Sequence, residues 1–167
     1  IEVMQGAALD DDNAIPIHLR VAETPRGVWL YMNDPHNRLV FIHDGVWEVV
    51  DHTAFGAPIF RRSPSMKQLL EPSHVDDPIS GIAPLWTLIN VPVSMKTLLI
   101  GYLIHCIIHE QSPLPSLHLM AEQGPGKTSV LKMLRQPIDP STDKGGALPG
   151  NEEAFALSAL NSWLLTY

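Results

Sequence analysis

The sequence predicts an α+β protein: a small antiparallel β-rich region at the N-terminus, followed by the first part of an α/β domain. Three observations predict it. Apolar residues recur with a period near two up to Val50, and nearer three and a half from Leu85 onward. Turn residues such as Asn33-Asp34-Pro35 and Asp44-Gly45 punctuate the first part. In the second part a glycine-containing loop, Ala121-Glu122-Gln123-Gly124-Pro125-Gly126-Lys127-Thr128, separates an apolar run from an amphipathic one. At 167 residues the chain accommodates one domain, or one domain and part of another. The reading divides it into a β-rich region (1–52), a proline-rich connector (53–84), and a helical lead-in with the start of the α/β domain (85–167).

In order, residues 15–21, 27–32, 39–43 and 46–50 are rich in Ile, Val, Trp and Tyr and read as strands. Asp44-Gly45 between the last two supplies the positive backbone angles of a tight hairpin turn. The connector shows little periodicity; it is expected to lie over the surface, with a short helical turn at 66–70. Residues 84–90 read as a short helix. Ser94 then caps a longer helix over 95–109, in which Leu98, Leu99, Tyr102, Leu103, Cys106 and Ile107 are spaced for a buried stripe. Pro113 and Pro115 end it. Residues 116–120 read as a short buried strand, 129–136 as an amphipathic helix stopped by Pro137, 151–160 as a helix and 162–167 as a buried strand.

Composition narrows the class. Hydrophobic residues make up 45% and charged residues 17%, a globular balance that excludes collagen-like, coiled-coil and disordered chains. The single cysteine, Cys106, excludes an intramolecular disulfide framework and a multi-cysteine zinc site, and points to a reducing, cytoplasmic setting. The longest apolar run, 98–108, is far short of the roughly 20 residues of a membrane span, and residues 1–12 lack the pattern of a secretory signal. No membrane partner is expected. The net charge of −7 is lopsided: residues 1–84 hold 12 acids against 6 Lys and Arg, net −6, and residues 85–167 hold 6 against 5, net −1. The total therefore says little about whether the second part meets nucleic acid.

The chemistry lies in the loop. Residues 121–128 fit the phosphate-binding pattern G-x-x-x-x-G-K-[ST], the Walker A loop, at every fixed position except the first, where Ala121 replaces Gly. An expected strand precedes it and an expected helix follows. In such a loop successive backbone N–H groups curl around the phosphates and the helix N-terminus adds partial positive charge. The cofactor-binding residues are thus Glu122, Gln123, Gly124, Pro125, Gly126, Lys127, Thr128 and Ser129. Lys127, the catalytic candidate, reaches the β and γ phosphates, and the Thr128 hydroxyl ligates magnesium. The plainer alternative is an ordinary strand-to-helix turn. Pro125 has no N–H, so one phosphate donor is missing, which costs on the order of 1.5–3 kcal/mol, about ten- to a hundredfold in affinity.

With Asn90-Val91-Pro92, the helix over 95–108, the strand at 117–120, the loop, and Ile138-Asp139-Pro140-Ser141, residues 85–167 resemble the helicase-like ATPases of primase-helicase proteins encoded by phages and mobile elements. The Trp- and Val-rich start is similar to the variable region preceding the ATPase in such proteins. The resemblance implies an incomplete P-loop NTPase domain, ATP and Mg as cofactors, DNA as a partner of the complete protein, and a ring-forming homo-oligomer. It also implies an acid just beyond the strand at 162–167, with sensor and arginine-finger residues further on. The 167 residues alone are then expected to bind nucleotide weakly and to hydrolyse almost none. A second reading takes the β-rich region as an interaction module and the loop as a degenerate, structural nucleotide site.

Other signals carry plainer readings. His105 and His109 have zinc-pair spacing, but Cys106 stands where a metalloprotease helix needs Glu, so both read as edge histidines. Arg61, Arg62 and Lys67 form the one basic cluster of the first half, read as solvated rather than nucleic-acid binding. Lys132 and Arg135 are placed on the exposed face of their helix near its C-terminus, where cations are favourable. Trp29, Trp47, Trp86 and Trp163 are assigned to core packing.

Overall fold

The computed structural model describes residues 15–108, 115–120, 126–143, 145 and 147–167. The protein is α+β. Four strands, β2 (Val21–Thr24), β3 (Gly27–Tyr31), β4 (Leu39–His43) and β5 (Val46–Val50), form an antiparallel meander in chain order. Its turns follow from local chemistry. Asp44 and Gly45, at φ 47° and 79°, make the expected two-residue turn, with His43 opposite Val46. Gly27 closes the β2–β3 turn at φ 142°, and a Cβ there would lie 2.2 Å from the Ile42 carbonyl oxygen, so only glycine fits.

The sheet buries both faces. Ala22, Trp29, Tyr31, Leu39 and Phe41 form one cluster, in which Trp29 stacks on Phe41 at 3.9 Å. Met32, Val40 and Leu69 form the other, flanked by Leu30, Ile42, Trp47 and Val49.

The single strand expected over 15–21 is two. β1 (Ile17–His18) pairs in parallel with β6 (Ile59–Phe60), and the chain bends at Leu19-Arg20 before entering β2. The bend turns the Arg20 side chain inward, where it is fully buried. The connector is more than surface covering. Beyond β6, Ser63 and Leu69 are buried, the Leu69 N–H donates to the Met32 carbonyl at 2.7 Å, and Met66 bridges to Ser141. No helical turn forms at 66–70, because the backbone there bonds to other segments instead.

The connector's expected end at residue 84 falls inside helix α1 (Pro78–Leu88). Pro78, not Pro84, takes the favoured first-turn position, since Asp77 caps the helix by accepting from the Ile79 and Ser80 N–H groups at 3.1 and 3.0 Å. Helix α2 (Val93–Ile108) starts one residue before Ser94, the expected cap. Leu99 and Cys106 are buried and Tyr102, Leu103 and Ile107 half-buried, but Leu98, expected in that stripe, is 70% exposed. α3 (Lys127–Arg135) and α4 (Glu152–Asn161) follow; Asn151 caps α4 through the Ala154 N–H at 2.8 Å. No single helix among the described residues is long and apolar enough to cross a membrane; α1 and α2 reach that composition only together, as a pair bent by 113°.

Two expected strands are absent. Residues 116–120 and 162–167 pair with nothing among the described residues, and Met120 is 95% exposed. A strand exists only where a neighbour takes its N–H and C=O groups, and apolar content alone does not supply one.

Two outcomes test this fold. Gly27→Ala is expected to cost at least about 2 kcal/mol in urea unfolding, through the clash and the positive φ. Asp34 is buried between the Arg38 N–H at 2.8 Å and the Arg38 Nε at 2.6 Å. Burial pushes its carboxyl pKa up, but the hydrogen bonds from Arg38 outweigh that and hold it below the ordinary value. A depressed folded-state pKa gives stability that is present above the unfolded value, about pH 3.9, and is lost as pH falls through the folded one. Asp34→Asn should flatten that acid limb, as read by thermal melts between about pH 2 and 5.

Candidate functional site

Loop residues Ala121, Glu122, Gln123, Gly124 and Pro125 lie outside the described residues, as does His109; the description of the loop begins at Gly126. Gly126 precedes α3 with helical angles, φ −85° and ψ −29°, and its carbonyl accepts from the Val130 N–H at 3.0 Å. The N-cap residue, Gly126, has no side chain to cap the helix with, and no acid lies in its first turn. Lys127 is half-buried there; Thr128 and Ser129 are exposed. A Cβ built on Gly126 meets no heavy atom within 4 Å, and its φ suits any residue, so the described fold does not itself require glycine at this position.

α3 buries one face. Leu134, with half-buried Val130, packs on Ile89 and Leu99, which joins the helix to α1 and α2. A recess of about 570 Å³ opens along its flank, lined by Tyr102, Leu117, Leu131, Phe155 and Trp163 among others; residues 126–129 do not line it.

The C-terminal end of α3 holds the feature that sequence reasoning missed. Arg135, expected on the exposed face, is buried. Its Nε donates to the Asp139 carbonyl at 2.9 Å, and its Nη2 to the Asp139 carboxylate at 3.1 Å. The chain turns back directly after the helix, with the Asp139 N–H on the Arg135 carbonyl at 2.8 Å, and this brings the two side chains together. Asp139 also accepts from the Arg20 Nε at 3.2 Å and the Leu164 N–H at 3.0 Å. Arg20 in turn donates to the carbonyls of Tyr31 at 2.7 Å, Lys67 at 3.0 Å and Pro140 at 3.5 Å. Burial lowers the Arg20 pKa, with Asp139 pulling the other way.

Two guanidinium groups thus share one carboxylate in the interior, and backbone carbonyls satisfy the excess positive charge. The available signal was an ionisable residue inside an apolar run, Arg20 among Ile15 to Val21, and Asp139 behind Ile138. Such a residue is rarely buried unless it is paired.

The remaining candidates take other roles. Arg62 donates to the Tyr31 hydroxyl at 2.9 Å, the Asp34 carbonyl at 2.8 Å and Asn37 Oδ1 at 2.8 Å, and Arg61 to the Leu160 carbonyl, so both arginines are tied to the protein. Trp29 is core, as expected. Trp47 stacks on His74 at 4.2 Å, Trp86 lies under Lys96 at 5.1 Å, and Trp163 donates to the Cys106 carbonyl at 2.8 Å; these three are half-buried. Burial pushes the Cys106 thiol pKa up, against a hydrogen bond with Tyr102, which makes it a poor nucleophile. Among the described residues no group of three or more His, Cys, Asp or Glu side chains could hold a metal ion.

Compared with family models, curated proteins and solved structures, the chain finds no match.

The buried cluster makes an unequal pair of expected outcomes. Asp139→Ala strands two buried cations and should cost about 3–5 kcal/mol. Arg20→Met leaves a balanced Arg135–Asp139 pair and should cost less. Urea unfolding of the two variants side by side checks the order.

Proposed function

We propose that this chain carries the nucleotide-binding part of a P-loop ATPase, helicase-like in type and serving DNA replication of a phage or mobile element. One observation carries the nucleotide reading: α3 begins directly after a glycine that the described fold does not require, with Lys127 and Thr128 on its first turn. The N–H groups of a helix start, an ammonium group and two hydroxyls make a donor set suited to phosphate. The helicase-like assignment, the DNA partner and a ring-forming homo-oligomer rest on the sequence resemblance alone.

In this reading the amides of residues 122–124 and 126–129 hold the phosphates and Lys127 neutralises their charge, while Thr128 offers one oxygen to magnesium. Magnesium, if bound with nucleotide, would supply positive charge to offset that of the phosphates. Asp139, the acid soon after the helix, is not available to orient water. Arg20 occupies one of its carboxylate oxygens, and Arg135 with the Leu164 N–H the other.

The second reading, an interaction module with a degenerate loop, draws on Pro125 and on the unpaired course of residues 115–120 just before the loop. Titration with a fluorescent ATP analogue and magnesium separates the two. The nucleotide reading expects Lys127→Ala and Gly126→Ala each to weaken binding at least about tenfold, with the melting temperature of Gly126→Ala nearly unchanged. It expects Pro125→Ala, which restores an amide donor, to tighten binding about tenfold or more. Binding indifferent to all three substitutions would overturn it.

A further inference from the structure

We propose that Arg20 is a positioning residue for the nucleotide loop: from the N-terminal sheet it holds α3 in place through Asp139 and Arg135. The inference rests on the reading that the start of α3 binds nucleotide. α3 has nine residues, too few for a helix to persist by its own hydrogen bonds, so packing and end contacts set its position. At its N-terminal end the N-cap residue is Gly126, which has no side chain to anchor the helix. At its C-terminal end Arg135 meets Asp139 through both a backbone and a carboxylate acceptor, which fixes the helix's rotation about its axis as well as its depth.

Asp139 is in turn held by a donor from the far part of the chain, 119 residues away, and by the Leu164 N–H. Arg20 is the part that reaches the sheet. Its Nη1 donates to Tyr31 at the end of β3, beside the Tyr31 N–H that bonds the Arg20 carbonyl at 2.8 Å. Its Nη2 donates to Lys67, whose own N–H bonds the Pro140 carbonyl at 2.8 Å. A single planar fork thereby joins sheet, connector and the segment after α3. Lysine, with a compact ammonium group, cannot meet those spread acceptors at once.

Native-state hydrogen exchange tests this without relying on nucleotide. In Arg20→Met, amides of residues 127–135 are expected to exchange at least about tenfold faster, while those of β3 and β4 keep their wild-type rates. Val40→Ala, which truncates a buried apolar side chain packed with Met32 and Leu69 on the sheet, controls for general destabilisation. It should loosen the sheet and leave the excess at 127–135 absent. Arg20→Lys should behave like Arg20→Met.

Equal loosening of sheet and α3 in Arg20→Met, or unchanged exchange in α3, overturns the proposal. If Arg20→Met does not fold, Asp139→Asn, which keeps the shape and removes the charge, is read by the same amides with the same two outcomes. Analogue binding weakened about tenfold in Arg20→Met completes the picture. Failure of the wild-type chain to bind the analogue counts against the nucleotide reading alone, because the exchange rates still decide whether Arg20 holds α3.

Discussion

The carboxylate of Asp139 sits between two arginines, one from the start of the described chain and one from the end of α3, and the arrangement of the molecule depends on that pairing. An isolated buried charge is expensive, so Arg20 and Arg135 are tolerated inside only because they meet the same acid and a set of main-chain carbonyls. The meeting point brings the sheet, the connector and the segment after α3 within hydrogen-bond distance of each other. Removing any one participant leaves polar atoms unsatisfied in the others.

Around this cluster the apolar packing is divided. The sheet carries its own two clusters, one on each face, and the helices carry two more, centred on Ile89, Leu99 and Leu134 and on Cys106, Ile138 and Leu164. None of the four groups of buried residues spans both the sheet and the helices. Helix α2 lies against β2 and β3, and polar links join the parts as well: Arg20 on Asp139, the Met66–Ser141 bridge, and the backbone bonds from Lys67 to Pro140 and from Thr142 to Ser65. Hydrogen bonds are directional where apolar contact is not, so this seam defines one register between the two parts.

The hairpin of β4 and β5, the capped start of α4 and the helical run after Gly126 were legible because neighbouring residues decide them. A turn needs its Asp-Gly, and a helix start needs its Asn or an open glycine. The candidate loop is likewise a local pattern, of which residues 121–125 lie outside the described ones. The expected strands at 116–120 and 162–167 were misread because apolar content marks burial without saying which partner is present. Leu98 was misassigned because residues one position apart on a helix point about 100° apart, and which of them is covered depends on the neighbouring helices. The start of α1 was missed in favour of Pro84, since both prolines look alike until Asp77 is seen to cap the first.

The sequence by itself determined the α+β composition, strands β3 to β5 with the Asp44-Gly45 turn, and the residues that make the start of α3 a phosphate-binding candidate. All of these are contacts across a few residues, where backbone geometry leaves few choices. Only the tertiary structure decided that Arg20 turns inward, that Arg135 is buried, and that Asp139 joins them. That choice rests on the cost of leaving charge unpaired in the interior, and no local pattern reveals which partners 119 residues apart will meet to avoid it.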